Sequence, residues 1–281
     1  MKKGFVLAAM AAGCLMSCKD SKLTNVFDTE EEAEEDSVEA FVGDTLHLFE
    51  EAEEPPVAVD ELFNDFLYEF LGDARFQRQR VVFPLPCYQG EEEDMLTKQE
   101  WESFNHLGGQ DVYAVIYEHA QDLELQKDTA IQSVTVERFV LTGNEVEKYN
   151  FNRLNGKWML TDVKRKRLND VPNGDFLHFY ARFMTDSVFQ REALASPLKV
   201  VLTSEDGEEE PQVDEIDADE WFEMAHDLPL PKDALVNINY GQMSIGQNRK
   251  TLLLQGMSNG MQIQFKFNKD RGGWKLKGIE Y

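Results

Sequence analysis

The sequence predicts an α+β fold made of two tandem copies of one unit, and three observations carry that prediction. A block that opens at Phe63 returns 113 residues later without a gap. In each copy, apolar residues at helical spacing come first and alternating strand-like segments follow, which is the order of helices packed on one antiparallel sheet. Turn pairs such as Asn155-Gly156 separate the strands, so the hairpins are short.

The repeat is explicit in the residues. Phe63, Phe66, Leu67, Phe70 and Leu71 precede Asp73, Phe76-Gln77-Arg78 and Pro84-Leu85. Phe176, Phe179, Tyr180, Phe183 and Met184 precede Asp186, Phe189-Gln190-Arg191 and Pro197-Leu198. Eight of the twenty positions from Phe66 to Leu85 are identical to their partners, too many for coincidence. The closing hairpins align at an offset of 116, with Trp158 facing Trp274; Glu100-Trp101 and His106 match Glu220-Trp221 and His226 at an offset of 120.

The first copy, 57–168, opens with an amphipathic helix from Val57 to about Leu71, whose aromatic stripe is wide enough to cover a sheet. Gly72 ends it and Asp73 caps a second short helix. Pro84 and Pro86 predict an extended edge segment, Glu91–Asp94 a solvated loop, and Thr97–Phe104 a short helix around Trp101. Gly108-Gly109 marks a turn. Strands are expected over Val112–His119, Ile131–Leu141, Val146–Arg153 and Trp158–Lys164, with Tyr113, Val115 and Tyr117 on one face of the first. The second copy, 172–281, repeats the plan. It has a helix at Asp175–Thr185, the Asp186 cap, a strand at Leu198–Thr203, an acidic loop over Glu205–Asp219 and a Trp221 segment. Strands at Leu235–Ile245, Thr251–Met257, Met261–Asn268 and Trp274–Tyr281 close it. Each copy is expected to fold a bent sheet of its own.

Ahead of the repeats lies an address label. Met1-Lys2-Lys3 is basic, and the apolar run Phe5–Met16 is too short to cross a bilayer, which takes roughly 20 residues. It ends in Leu15-Met16-Ser17-Cys18, which resembles the lipobox of bacterial lipoproteins. That resemblance implies a signal peptide at 1–17, removal before Cys18, and a lipidated, palmitate-bearing Cys18 as first residue. Lys19 after it implies the outer membrane of the cell envelope. Cys14 is the alternative, with a shorter apolar run and no Leu three places upstream. Residues 18–56 then read as an acidic tether: Asp28–Glu54 holds thirteen acidic residues and no Lys or Arg, a composition that self-repels and extends.

The formal charge of −25 excludes nucleic acid as a partner, since affinity there comes from Lys and Arg neutralising phosphates. With Cys14 removed and Cys18 lipidated, only Cys87 remains, so no internal disulfide forms; Cys87 reads as a small, partly buried side chain. No His-x-x-x-His, Cys-x-x-Cys or phosphate-cradling glycine motif occurs, so no metal and no cofactor is expected.

The order of helices, Trp segment and long hairpins resembles the cone-shaped fold of nuclear transport factor two, scytalone dehydratase and ketosteroid isomerase. The paired signature, from the aromatic helix to the closing Trp and with the lipobox ahead, looks like a family of uncharacterised Gram-negative envelope lipoproteins built from two such cones. The resemblance spans Val57 to Tyr281 and implies no established activity.

In ketosteroid isomerase-like enzymes the cone opening holds an Asp base with a Tyr and a protonated Asp. The recurring candidates here are Asp73 and Asp186, His106 and His226, with Tyr113 and Tyr117 alternating on a strand placed to line a cavity. Helix capping explains the two aspartates, and a position near a helix end explains the two histidines. His106, His226, Tyr113 and Tyr117 are therefore ligand-pocket candidates, and no catalytic residue is assigned. The basic run Lys164–Arg167 reads as a solvated strand end. Two functions follow: a lipid-anchored binding or scaffold protein for a small ligand or an envelope protein, or an isomerase, dehydratase or hydrolase using an Asp or His in one cone. An open pocket with a convergent acid separates the second from cones plugged by their own Phe and Trp. Pairing of the two copies within one chain predicts a monomer.

Overall fold

The computed structural model describes residues 58–101, 107, 111–203, 210–242, 248–257 and 259–281. The signal segment, Cys18, the acidic tether and His106 lie outside the described residues. Helix α1 runs Phe63–Gly72 and α2 Ala74–Gln79. The first starts later than its apolar stripe suggests, because Ala58–Asp60 forms a 3-10 turn pinned by Asp60. The Asp60 carboxylate is fully buried, takes both Arg80 guanidinium nitrogens at 2.8 Å, and accepts the Trp158 backbone N–H at 2.9 Å. Strands β1 (Leu85–Gln89), β2 (Glu92–Leu96), β3 (Val112–Tyr117), β4 (Ser133–Val140), β5 (Glu145–Leu154) and β6 (Lys157–Arg167) follow. The second repeat gives α3 (Gly174–Thr185), α4 (Ser187–Glu192), β7 (Leu194–Leu202), β8 (Gln212–Ile216) and α5 (Ala218–Asp227). It ends with β9 (Ala234–Asn239), β10 (Arg249–Gly256), β11 (Gln262–Asp270) and β12 (Gly273–Glu280).

Both short helices are capped as the sequence predicts. Asp73 Oδ1 accepts from the N–H groups of Arg75 and Phe76 at 2.6 and 3.2 Å, and Asp186 Oδ1 from Val188 and Phe189 at 3.1 and 3.0 Å. Asn155 and Gly156 both have positive φ, 51° and 77°, which a type I′ hairpin requires. The bulge at Asn150/Phe151 recurs 116 residues on at Lys266/Phe267, and bulges of this kind bend a sheet.

Two local expectations need correction. The Pro84–Pro86 segment is not an edge: β1 lies between β2 and β6. Its parallel pairing with β6 begins at Cys87, beyond Pro86, so the missing proline N–H is not needed on that side. The acidic stretch after it forms the edge strand β2, where exposed carboxylates discourage pairing with another chain. Likewise, the acidic stretch before Trp221 contains β8 and the start of α5, capped by Asp217.

The larger difference is in the sheet. All twelve strands form one sheet, in the order β2-β1-β6-β5-β4-β9-β3-β10-β11-β12-β7-β8. Separate sheets would keep β3 beside β4 and β9 beside β10. Instead the equivalent third strands have changed places, β9 pairing with β4 and β3 with β10. The exchange is symmetric in register: Thr135 faces Asn239 and Thr251 faces Tyr117, so offsets of 116 and 122 relate the two pairings. One parallel bridge, Ala114 to Asn237, joins β3 to β9 at the centre.

Each cone is therefore filled by rings from its own repeat and closed by a strand from the other. Phe63 meets Trp158 edge-on at 5.1 Å, and Phe176 meets Trp274 at 5.3 Å. Phe66 lies 5.6 Å from Phe151, and Phe179 5.7 Å from Phe267. Such pairs contribute about 0.5–1.5 kcal/mol beyond their area burial. Along β3, Val115 and Tyr117 join the first core while Ala114 and Ile116 join the second, so that strand is buried on both faces. Among the described residues no helix is long and apolar enough to cross a membrane.

Candidate functional site

Helix α1 turns its phenylalanines inward and leaves Asn64, Asp65 and Tyr68 on its open side. Strand β3 brings Tyr113 against them, and Met257, just past β10, closes the rim. With Leu67 these six residues line a pocket of about 360 Å³. Behind it stands Tyr240, which follows β9 and reaches the first cone because of the strand exchange. Its hydroxyl donates to Asn64 Oδ1.

The electrostatics follow from burial. The Tyr113 phenol is pushed up to about 12, first by burial and then by the Asp65 carboxylate. Tyr240 is raised well above the usual phenol range, again by burial first and then by Tyr113. Both hydroxyls stay protonated at any physiological pH and act as hydrogen-bond donors. The pocket thus offers a phenol donor, the Asn64 amide and an exposed carboxylate, beside an apolar wall of Leu67, Met257 and the Tyr68 ring.

The second repeat supplies the comparison that gives this pocket meaning. Asn64, Leu67, Tyr113 and Met257 correspond there to Leu177, Tyr180, Leu235 and Leu141, all buried and all part of the second core. Asp65 corresponds to His178, which turns outward to Asn169 at 3.3 Å. Both cones are filled by their own rings, but at this rim the second is closed by apolar side chains while the first keeps a polar depression.

Of the sequence candidates, Tyr113 is in this pocket and His226 is not. The His226 side chain is 88% exposed near the end of α5, 3.3 Å from Asp227, and does not meet either tyrosine. Tyr117 shares the face of Tyr113 but points its hydroxyl to Gln264 Oε1 at 2.8 Å; burial pushes it up to about 12. Cys87 is partly buried, and burial followed by Asp94 raises its thiol pKa, which suppresses the reactive thiolate. The basic run ends β6, with Lys164 paired to Asp162 at 3.0 Å and Arg165 to Glu147 at 3.1 Å. Asn64, Asp65 and Tyr240 escape inspection of the sequence for motifs. The available signal is the contrast between repeats, Asn64-Asp65 against Leu177-His178.

The family described as Domain of unknown function (DUF4348) matches residues 44–281. The chain belongs to that family. A crystal structure of an NTF2-like protein from Bacteroides fragilis NCTC 9343 resembles this DUF4348 protein with a TM-score of 0.72 at 36% sequence identity. The similarity covers 81% of this chain and 98% of that one. No curated protein matches the sequence. The DUF4348 chain is thus an α+β, NTF2-like protein, with cones over a curved sheet, as its element order suggests.

Proposed function

We propose that this DUF4348 protein is a non-catalytic binding module, held to the outer membrane of the cell envelope by lipid on Cys18 and working as a monomer. Its ligand site is the polar depression at the rim of the first cone. The observation that carries this is the divergence of the two cones: leucines fill the second where Asn64, Tyr113 and Met257 leave the first open. A small polyhydroxylated ligand, such as a glycan fragment, suits the site. Asp65 and Asn64 accept and donate to hydroxyls, while the exposed Tyr68 ring offers a flat apolar face. The Asp65 carboxylate disfavours a ligand that is itself anionic at this point.

A panel of mono- and disaccharides titrated by protein-observed NMR tests the site. Shifts that cluster on Asn64, Asp65 and Tyr113, and vanish in Tyr113→Leu, support it. Shifts unaffected by that substitution, or none for any sugar, overturn it. The anchor is tested separately, by metabolic palmitate labelling of the full chain with and without Cys18→Ala.

Asp65 beside Tyr113 favours one second reading, proton transfer on the same ligand with Asp65 as base. An Asp65→Asn variant that keeps affinity but loses turnover would select it over simple binding.

A further inference from the structure

The two repeats also differ on the face of the sheet that carries no helices. In the first repeat, Asp162 accepts from Asn150 at 2.6 Å, Asn150 accepts from Thr135 at 2.8 Å, and Asn152 donates to Thr161 at 2.7 Å. Those side chains satisfy one another. In the second repeat the equivalents of Ser133, Asn150, Thr161 and Asp162 are Arg249, Lys266, Lys277 and Gly278, and Lys199 stands in place of Pro86. Four cations are gained there and one carboxylate is lost. Two substitutions run the other way: Lys164 becomes Glu280, which pairs with Lys266, and Lys148 becomes Gln264. On the neighbouring edge, Glu215 is the cross-strand partner of Lys199.

Lys199, Arg249, Lys266 and Lys277 surround a depression of about 310 Å³ floored by Thr251 and Gly278. Lys199, Arg249 and Lys277 form no ion pair with a described residue, on a protein whose net charge is −25. They sit on β10, β12 and β7, with Lys266 on β11 between, so the cations span three inter-strand steps, about 14 Å. A carboxylate at the position of Gly278 would occupy the middle of that row. Its absence leaves room for a ligand's negative groups.

We propose that this face of the second repeat binds a short chain of phosphate groups, laid across the four strands from Arg249 to Lys199. The acidic surroundings repel a long polyanion and select a short one, because unpaired local cations attract over about 8–10 Å at ordinary salt while the rest of the molecule repels. A free chain and a lipid headgroup layer present the same phosphate chemistry, and the test separates these sources.

Short-chain inorganic polyphosphate is titrated calorimetrically into the protein, and binding to phosphatidylglycerol vesicles is measured by sedimentation. Binding to either probe should weaken as salt rises. It should fall about tenfold or more in Arg249→Ser/Lys277→Thr, which restores two residues of the first repeat, and again in Gly278→Asp. Arg249 and Lys277 are exposed, so an unchanged Tm is expected of that double variant and it carries the test. Gly278 is buried, with an added Cβ 3.4 Å from the Lys199 carbonyl oxygen, so Gly278→Asp counts only if its Tm is also unchanged. Binding to polyphosphate assigns a free chain; binding to vesicles alone, with the same loss in the variants, assigns headgroups. Wild-type protein that binds neither probe, or variants that bind as well as wild type, overturn the site.

Discussion

Asn237 on β9 accepts the backbone N–H of Ile116 on β3 at 2.8 Å, across the seam where the two repeats exchange strands. Its amide nitrogen donates to Glu137 Oε2 on β4, also at 2.8 Å, and Lys148 completes the group 2.9 Å from Glu137. The cluster has no polar counterpart related to it by the repeat. The symmetry mates of Asn237 and Glu137 are Val115 and Leu253, both apolar and buried.

Replacing Asn237 with Val should therefore leave a buried N–H and a buried carboxylate short of a partner. The expected loss is about 2–4 kcal/mol in chemical denaturation. Adding Glu137→Leu, the residue used on the other side of the seam, should recover at least half of it. A double variant no better than Asn237→Val would mean that the cluster does not act as a unit.

The Asp60–Arg80 pair gives a second prediction. Asp60 is fully buried and held by two guanidinium nitrogens and one backbone N–H, while Arg80 also stacks over Phe76 at 4.7 Å. In the second repeat the same positions are Asn173 and Ala193, with no charge at all. Asp60→Asn should cost about 3–5 kcal/mol because it leaves the buried guanidinium uncompensated. Asp60→Asn/Arg80→Ala, which copies the second repeat, should cost clearly less. Equilibrium unfolding of the three proteins checks the order.

How much of this was legible in the sequence depends on what each residue's pattern could distinguish. The caps at Asp73 and Asp186, the hairpin at Asn155-Gly156 and the Phe63–Trp158 core follow from local chemistry, and these are in place. The strand exchange was not legible because β3 and β9 hold equivalent places in the two repeats and both are largely buried, so periodicity alone assigns neither to a neighbour. The Asn237–Glu137 pair that tells them apart is visible only once β9 lies beside β4. Pro86 misled for a different reason, since proline excludes a hydrogen bond and not a place in the sheet. The pocket was half visible. Tyr113 was marked by its alternation, whereas Asp65 looked like any solvent-facing helix residue until Tyr113 and Tyr240 were placed beside it.

The capping aspartates predict a pH dependence with a definite sign. Backbone N–H groups, from Phe76 then Arg75 for Asp73 and from Phe189 foremost for Asp186, hold both carboxyls below the ordinary value of 3.8. A folded-state pKa below the unfolded one gives stability that is complete above the unfolded value. It is lost as pH falls through the lower, folded value. Asp73→Ala and Asp186→Ala should each lower the thermal midpoint at pH 7. The gap to wild type should stay constant down to about pH 5, then close as the carboxyls protonate. A gap that persists at pH 2 would assign the loss to something other than the charged cap.

The pocket makes the last prediction, and it combines geometry with protonation. The Tyr113 phenol titrates near 12, so between pH 6 and 10 it remains a donor, and its contribution to ligand binding should be flat across that range. Tyr113→Phe keeps the ring and removes only the hydroxyl, so affinity should fall by the worth of one neutral hydrogen bond, about 0.5–1.5 kcal/mol. Tyr113→Leu with Asn64→Leu should go further, because those side chains close the second cone, and it should abolish binding. Thermal stability should not rise, since the buried Tyr240 hydroxyl loses its Asn64 acceptor. Calorimetric titration with whichever sugar the NMR panel selects measures both steps. A steep loss of affinity between pH 8 and 10 would contradict a protonated donor at Tyr113, and undiminished binding in the double leucine variant would place the ligand elsewhere.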